Sequence, residues 1–138
     1  MNEPLTLSVA DDELALLTDL YQLTMIQAYW KEGMHQTPAT FSLFFRFILA
    51  CGQQHAAAAL SQLHFNASAI EKLASTGRFD DDFLDWLSNW RFSGDIWAVP
   101  EGTVLFPHQP LLEVDAPIAE AQLLESLIMN LVQLETVL

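Results

Sequence analysis

The side chains in this sequence that could carry chemistry are few and scattered. Four histidines stand at His35, His55, His64 and His108, and the lone cysteine is Cys51. None falls at the close paired spacing from which zinc and similar sites are built. Each histidine therefore reads as an ordinary surface or boundary residue, and Cys51 as a small buried hydrophobe. A single cysteine cannot form an internal disulfide, so nothing calls for an oxidising compartment. The run Asp80-Asp81-Asp82 could attract a cation, but acidic residues that lead into a helix first of all cap its free amides and complement its dipole. No glycine-rich dinucleotide loop, Walker A sequence or Gly-x-Ser-x-Gly elbow occurs. The sequence thus presents no catalytic or metal-binding constellation of its own.

Charge and composition narrow the partners. Five Lys and Arg against eighteen Asp and Glu leave a net charge of -13. Nucleic acid and anionic membranes are disfavoured, and any phosphate handling must rest on very few cations. Hydrophobic residues make up 51% of the 138 and charged residues 17%, against typical values of about 45–50% and about 25%. An apolar excess of this kind implies surfaces that cover a partner, another domain or a second subunit. The N-terminus lacks the basic and apolar regions of a secretory signal. Arg46 interrupts the apolar stretch from Phe41 to Cys51, and no segment reaches the roughly 18 apolar residues that span a bilayer. A cytoplasmic location is expected.

The elements that must position any site follow from periodicity. Asp19-Leu20-Tyr21-Gln22 has capping-box spacing, with Thr18 as an alternative cap. Leu20, Leu23, Ile26 and Trp30 then recur at helical spacing as far as Gly33, a natural C′ residue. From Ala39 the period becomes two: Phe41, Leu43, Phe45 and Phe47 share one face of a strand, and Thr40, Ser42, Phe44 and Arg46 the other. Gln53 to Leu63 reads as helix. Ser68-Ala69-Ile70-Glu71 reads as a second capping box, opening a helix that stops near Gly77. Asp80 to Asp82 can cap a third, with Phe83, Leu87 and Trp90 as its stripe. Short antiparallel strands are expected at Asp95 to Val99, Thr103 to Phe106 and Leu111 to Asp115, separated by Pro- and Gly-containing turns. Pro117 suits the first turn of a final helix, Ile118 to Leu138, which carries leucines on more than one side and no stop signal. The expected fold class is α+β: residues 1–116 form the domain, residues 117–138 begin a connecting helix, and the chain reads as part of a longer protein.

Three ordered blocks carry a family resemblance. Leu17-Thr18-Asp19-Leu20-Tyr21-Gln22-Leu23-Thr24-Met25, followed by Ala28-Tyr29-Trp30, is similar to the opening helix of nicotinate phosphoribosyltransferases. Phe41-Ser42-Leu43-Phe44-Phe45-Arg46 resembles the strand after it. The longest block runs from Phe92-Ser93-Gly94-Asp95 through Pro100-Glu101-Gly102-Thr103 to Pro107, continued by Pro110 to Val114 and by Glu120 to Glu125.

The resemblance implies a hammerhead-like α+β domain with a small mixed or antiparallel sheet and helices packed on it. It implies an NAD-salvage enzyme that joins nicotinate to phosphoribosyl pyrophosphate, with magnesium present and ATP hydrolysis coupled, giving nicotinate mononucleotide and pyrophosphate. The family's barrel domain, which would follow Leu138, carries the phosphoribosyl site and the phosphorylated histidine. The N-terminal domain reaches across a homodimer to complete the partner's active site. By this analogy no catalytic residue and no metal or ATP site lies in this chain, which alone would be inactive. The substrate-binding candidates are Tyr21, as an aromatic wall for the pyridine ring, Asp19, near the ring or ribose, and Arg46, facing phosphate. Asp19 is already explained as a cap. Arg46 could equally pair with a strand-edge carboxylate, although a guanidinium binds phosphate through two parallel hydrogen bonds. After Arg46 the family shows a basic residue and a Gly-rich, Pro-containing turn, where this chain reads Phe47-Ile48-Leu49-Ala50-Cys51-Gly52-Gln53-Gln54. The alternative function is a stand-alone interaction module of the same fold. A lipoyl or biotinyl carrier would need a lysine on a hairpin, and none occurs after Lys72.

Overall fold

The computed structural model describes residues 14–45 and 48–137, with side chains as far as Val132. Its elements are a 3-10 turn at Leu14–Leu17, then α1 (Leu20–Lys31), β1 (Pro38–Phe44), β2 (Ile48–Leu49), α2 (Gln53–Ser61) and α3 (Ala67–Ser75). These are followed by α4 (Asp81–Asn89), β3 (Asp95–Ala98), β4 (Val104–Leu105), β5 (Pro110–Pro117) and α5 (Ile118–Val137). The α+β expectation holds.

α1 begins where its cap predicts, with Asp19 in an extended conformation and its carboxylate accepting from the Tyr21 amide. It ends in a Schellman turn: Gly33 has φ 70, the Met34 N–H reaches Tyr29 O and the Gly33 N–H reaches Trp30 O. That pairing satisfies terminal carbonyls which would otherwise need water. α3 starts two residues earlier than Ser68 implies. Asn66 is its N-cap and accepts from the Ala69 amide at 2.8 Å, because a capping acceptor must stand two or three residues before the amide that needs it. α4 starts after Asp80, but the Asp80 side chain makes no capping bond. It forms an ion pair with Lys31 instead.

The β segments separate into two antiparallel sheets rather than one. β1, β5 and β3 form a three-stranded sheet in that order, and β2 pairs with β4 in a two-stranded ribbon. The expected strand through Phe47 ends at Phe44. Ile48 and Leu49 turn to Leu105 and Val104 instead, and Phe47 lies outside the described residues. In the larger sheet Phe41 faces Val114 and Leu43 faces Leu112, after which the register jumps so that Phe44 faces Pro110. The extra residue, Leu111, makes a β-bulge, and both Leu111 (1% exposed) and Leu112 (3%) therefore point inward. Ile96 on β3 extends the same apolar row.

α5 packs on that row and on α1, burying Leu123, Leu124, Leu127, Ile128, Leu131 and Val132. Its first amides are held from outside the helix: Ile118 N–H donates to Thr37 O at 2.7 Å and Ala119 N–H to His35 O. Pro117 closes β5 opposite Pro38 rather than opening the helix, because those carbonyls, not a proline, receive the helix start. A second link is Glu120, buried at 5% exposure, whose two carboxylate oxygens accept from the Ser93 amide and hydroxyl at 2.8 and 2.9 Å. Next to Ser93, Gly94 is so close to β5 that a Cβ there would lie 2.5 Å from both Ala116 Cβ and Asp115 O.

The helical side is centred on Phe83, with no exposed surface. It stacks on Trp86 (centroids 5.7 Å apart) and meets Phe79 and Trp30 at 5.9 and 6.1 Å. Cys51 corrects the sequence reading: it is exposed, because the chain turns there between Ala50, bonded to Thr103 O, and the left-handed Gly52 that starts α2. No helix among the described residues is long and apolar enough to cross a membrane.

Candidate functional site

The N-terminal turn of α1 brings two of the three nominated residues together. The Asp19 carboxylate accepts the Tyr21 amide at 2.9 Å, which ties down a free donor of the helix start and places the Tyr21 ring outward, 66% exposed. Arg46, the third, lies outside the described residues.

Asp19 stands on the rim of a notch of about 310 Å³ between α1 and α5, lined by Leu17, Asp19, Glu125, Ser126, Met129 and Asn130. A second hollow of about 340 Å³ runs along β1 and α5, with Phe41, Leu43, Leu112, Val114 and Ile128 in its wall. The two share Glu125 and Met129. A polar notch and an apolar trough thus adjoin along one helix. Neither is lined by a lysine or arginine among the described residues, and Asp19 and Glu125 bring negative charge. Coulomb repulsion makes this surface unsuited to gripping a phosphate group by itself. It can offer hydrogen-bond acceptors from the carboxylates and apolar contact, while Tyr21 stands outside both linings, exposed two residues beyond Asp19.

Beneath the notch lies a polar bridge that sequence reasoning missed. The expected capping box would send the Gln22 side chain back to the Asp19 amide. Gln22 instead turns inward, 8% exposed, and its Nε2 donates to Glu125 Oε2 and Ser126 Oγ at 3.3 and 3.4 Å. Gln122, 7% exposed, donates from its own Nε2 to Gln22 Oε1 and to Glu125 Oε2 at 2.8 Å. Thr18 adds a hydroxyl bond to Leu123 O. A buried amide left without partners destabilises by about 1–3 kcal/mol, which is why Gln22 reaches for α5 rather than its own cap. The signal was present in the sequence: Gln122, Glu125 and Ser126 recur at i, i+3 and i+4, which puts them on one polar stripe of the helix.

The remaining candidates do not gather here. His35 is half-buried, edge-on to Trp86 at 5.7 Å, and His108 holds a left-handed turn at φ 71. Among the described residues no group of three or more His, Cys, Asp or Glu side chains comes together as a metal shell.

Residues 16–133 match the family model described as the nicotinate phosphoribosyltransferase N-terminal domain. A nicotinate phosphoribosyltransferase of Mycobacterium tuberculosis, pncB2, is 45% identical over 131 residues, which are 90% of this chain and 28% of that enzyme. The nicotinate phosphoribosyltransferase of Bacillus subtilis is 34% identical over 135 residues, 93% of this chain and again 28% of the relative. The crystal structure of human nicotinic acid phosphoribosyltransferase superposes with a TM-score of 0.74 at 35% identity, over 83% of this chain and 25% of that one. The chain therefore spans about a quarter of the length of these relatives.

Proposed function

This chain belongs to the nicotinate phosphoribosyltransferase family, as its N-terminal domain, and on that premise we propose that it serves an enzyme joining nicotinate to phosphoribosyl pyrophosphate. The products are nicotinate mononucleotide and pyrophosphate, and the reaction is an NAD-salvage step driven by coupled ATP hydrolysis in the cytoplasm. The domain supplies part of the wall of the nicotinate site, and as one subunit of a homodimer it completes the active site of the partner. The phosphoribosyl group, ATP and magnesium are held by the barrel domain, and the domain alone is inactive. Tyr21 stacks on the pyridine ring, an offset aromatic contact that adds about 0.5–1.5 kcal/mol beyond area burial. Asp19 holds the helix turn that presents Tyr21 and reaches toward the ring or ribose. Arg46 meets phosphate across the dimer.

The observation that carries this reading is the presentation of Tyr21: a large ring left 66% exposed on a helix start whose backbone is pinned by Asp19. The absence of a cation from the lining of both neighbouring hollows, among the described residues, supports assigning the anionic half of the reaction elsewhere. The test is formation of nicotinate mononucleotide by the complete enzyme from nicotinate and phosphoribosyl pyrophosphate, with ATP and magnesium added or omitted. Turnover stimulated by ATP is expected. A folded enzyme that makes no product, and instead binds another protein through this domain, would establish the interaction-module alternative. For Arg46, an Arg46→Ala enzyme is expected to show a selective rise in the phosphoribosyl pyrophosphate KM. An effect confined to thermal stability assigns Arg46 to structure.

A further inference from the structure

α1 packs on α5, and each buries apolar side chains, Leu23 and Ile26 on one helix and a row of leucines on the other. Such contact is non-directional, and two apolar helix faces tolerate small rotations and slips against one another. The hydrogen bonds of Gln22, Gln122, Glu125 and Ser126 are directional, and such a set between two apolar helix faces selects one arrangement. Gln22 is the immediate neighbour of Tyr21, about 100° away around the helix, so the angle at which Gln22 is held sets the angle at which Tyr21 faces out. We propose that Gln22 and Gln122 are positioning residues: the bridge they form with Glu125 and Ser126 fixes the first turn of α1 on α5 and thereby aims Tyr21 and Asp19 at the substrate. Gln22 is engaged at both ends of its amide, and Gln122 donates twice, to Gln22 and to Glu125, as an orienting device requires.

The role of Tyr21 toward nicotinate rests on the function proposed above, and the test separates the two. A Gln22→Met/Gln122→Met double variant of the complete enzyme replaces both partners with apolar side chains of similar length. Exchanging both members of a buried polar pair is close to neutral for stability, and Glu125, being exposed, regains water. The variant is expected to melt like wild type. Its nicotinate KM should rise of order tenfold, since a misplacement near 1 Å at a reacting centre has effects of that size or larger, while the phosphoribosyl pyrophosphate KM stays put. The Tyr21, Gln22 and Leu23 amides, which bond to Asp19, should exchange hydrogen about fivefold faster or more. Unchanged kinetics in an active, folded double variant overturn the proposal. If the wild-type enzyme shows no nicotinate-dependent turnover, the proposed reaction fails, and exchange alone decides here: faster exchange supports the orienting bridge and unaltered exchange overturns it. Should the double variant not fold, Glu125→Ala at its exposed position removes the acceptor both amides share. The same amides must then exchange faster, whereas unaltered exchange counts against the bridge.

Discussion

α1 and α4 both begin after an aspartate in extended conformation, yet they are held in different ways. α4 is held by volume: Phe83, Leu84 and Leu87 are buried, and Phe83 sits in a stack of aromatic rings. α1 also buries Leu23 and Ile26, but adds directional bonds to that packing. Gln22 is bonded to α5, and Gln27 accepts the Asp80 amide at 2.8 Å while donating to Arg78 O. The two caps differ as well, since the Asp19 carboxylate bonds its own helix whereas that of Asp80 turns to Lys31. Close packing can secure a helix without fixing its last few degrees of rotation, and directional bonds fix those degrees. They occur on the helix whose exposed turn carries the nominated substrate contacts.

Substitutions at three positions break or sharpen this contrast, in decreasing order of effect. Phe83→Ala empties the centre of the aromatic cluster and is expected to lower unfolding free energy by about 3–5 kcal/mol in denaturant titration. Surviving folded enzyme should keep its nicotinate KM; a selective KM change would give α4 a part in the site. Asp19→Ala removes a cap that is in use, and a loss of about 0.5–2 kcal/mol is expected. Asp19→Ser retains an acceptor and should preserve stability. If activity is preserved too, Asp19 is a cap and nothing more. Asp80→Ala removes a half-exposed pair with Lys31 whose side chains are 54% and 47% exposed, so a change of about 0–1 kcal/mol that fades with added salt is expected. A larger, salt-independent loss would mean that Asp80 caps α4 after all.

Much of this architecture was legible from periodicity. The α1 pattern from Asp19 to Gly33, the alternation from Thr40 to Leu43 and the long apolar helix after Pro117 each appear where local physics places them. What escaped depends on groups far apart in the chain. The sheet divides because Ile48 finds Leu105, and nothing within the Phe41 to Cys51 stretch announces that pairing. Asn66 displaced Ser68 as a cap because both are good acceptors, and only the helix start decides between them. The polar bridge joins Gln22 to residues about a hundred positions away, so a capping box was the natural local reading of the same glutamine. At the site, Asp19 and Tyr21 were nominated by resemblance, and folding places them on one exposed turn.

The most direct measurement is the nicotinate kinetics of Tyr21→Ala in the complete enzyme, alongside its thermal melt. The ring is exposed, so the melt should not move. A stacking wall predicts a fall in kcat/KM for nicotinate equivalent to about 1–3 kcal/mol of lost transition-state binding, where the upper part requires loss of a hydroxyl bond as well. Tyr21→Phe, which keeps the ring, should recover most of the stacking share. A folded Tyr21→Ala enzyme with wild-type kinetics would contradict the account and remove Tyr21 from the nicotinate site.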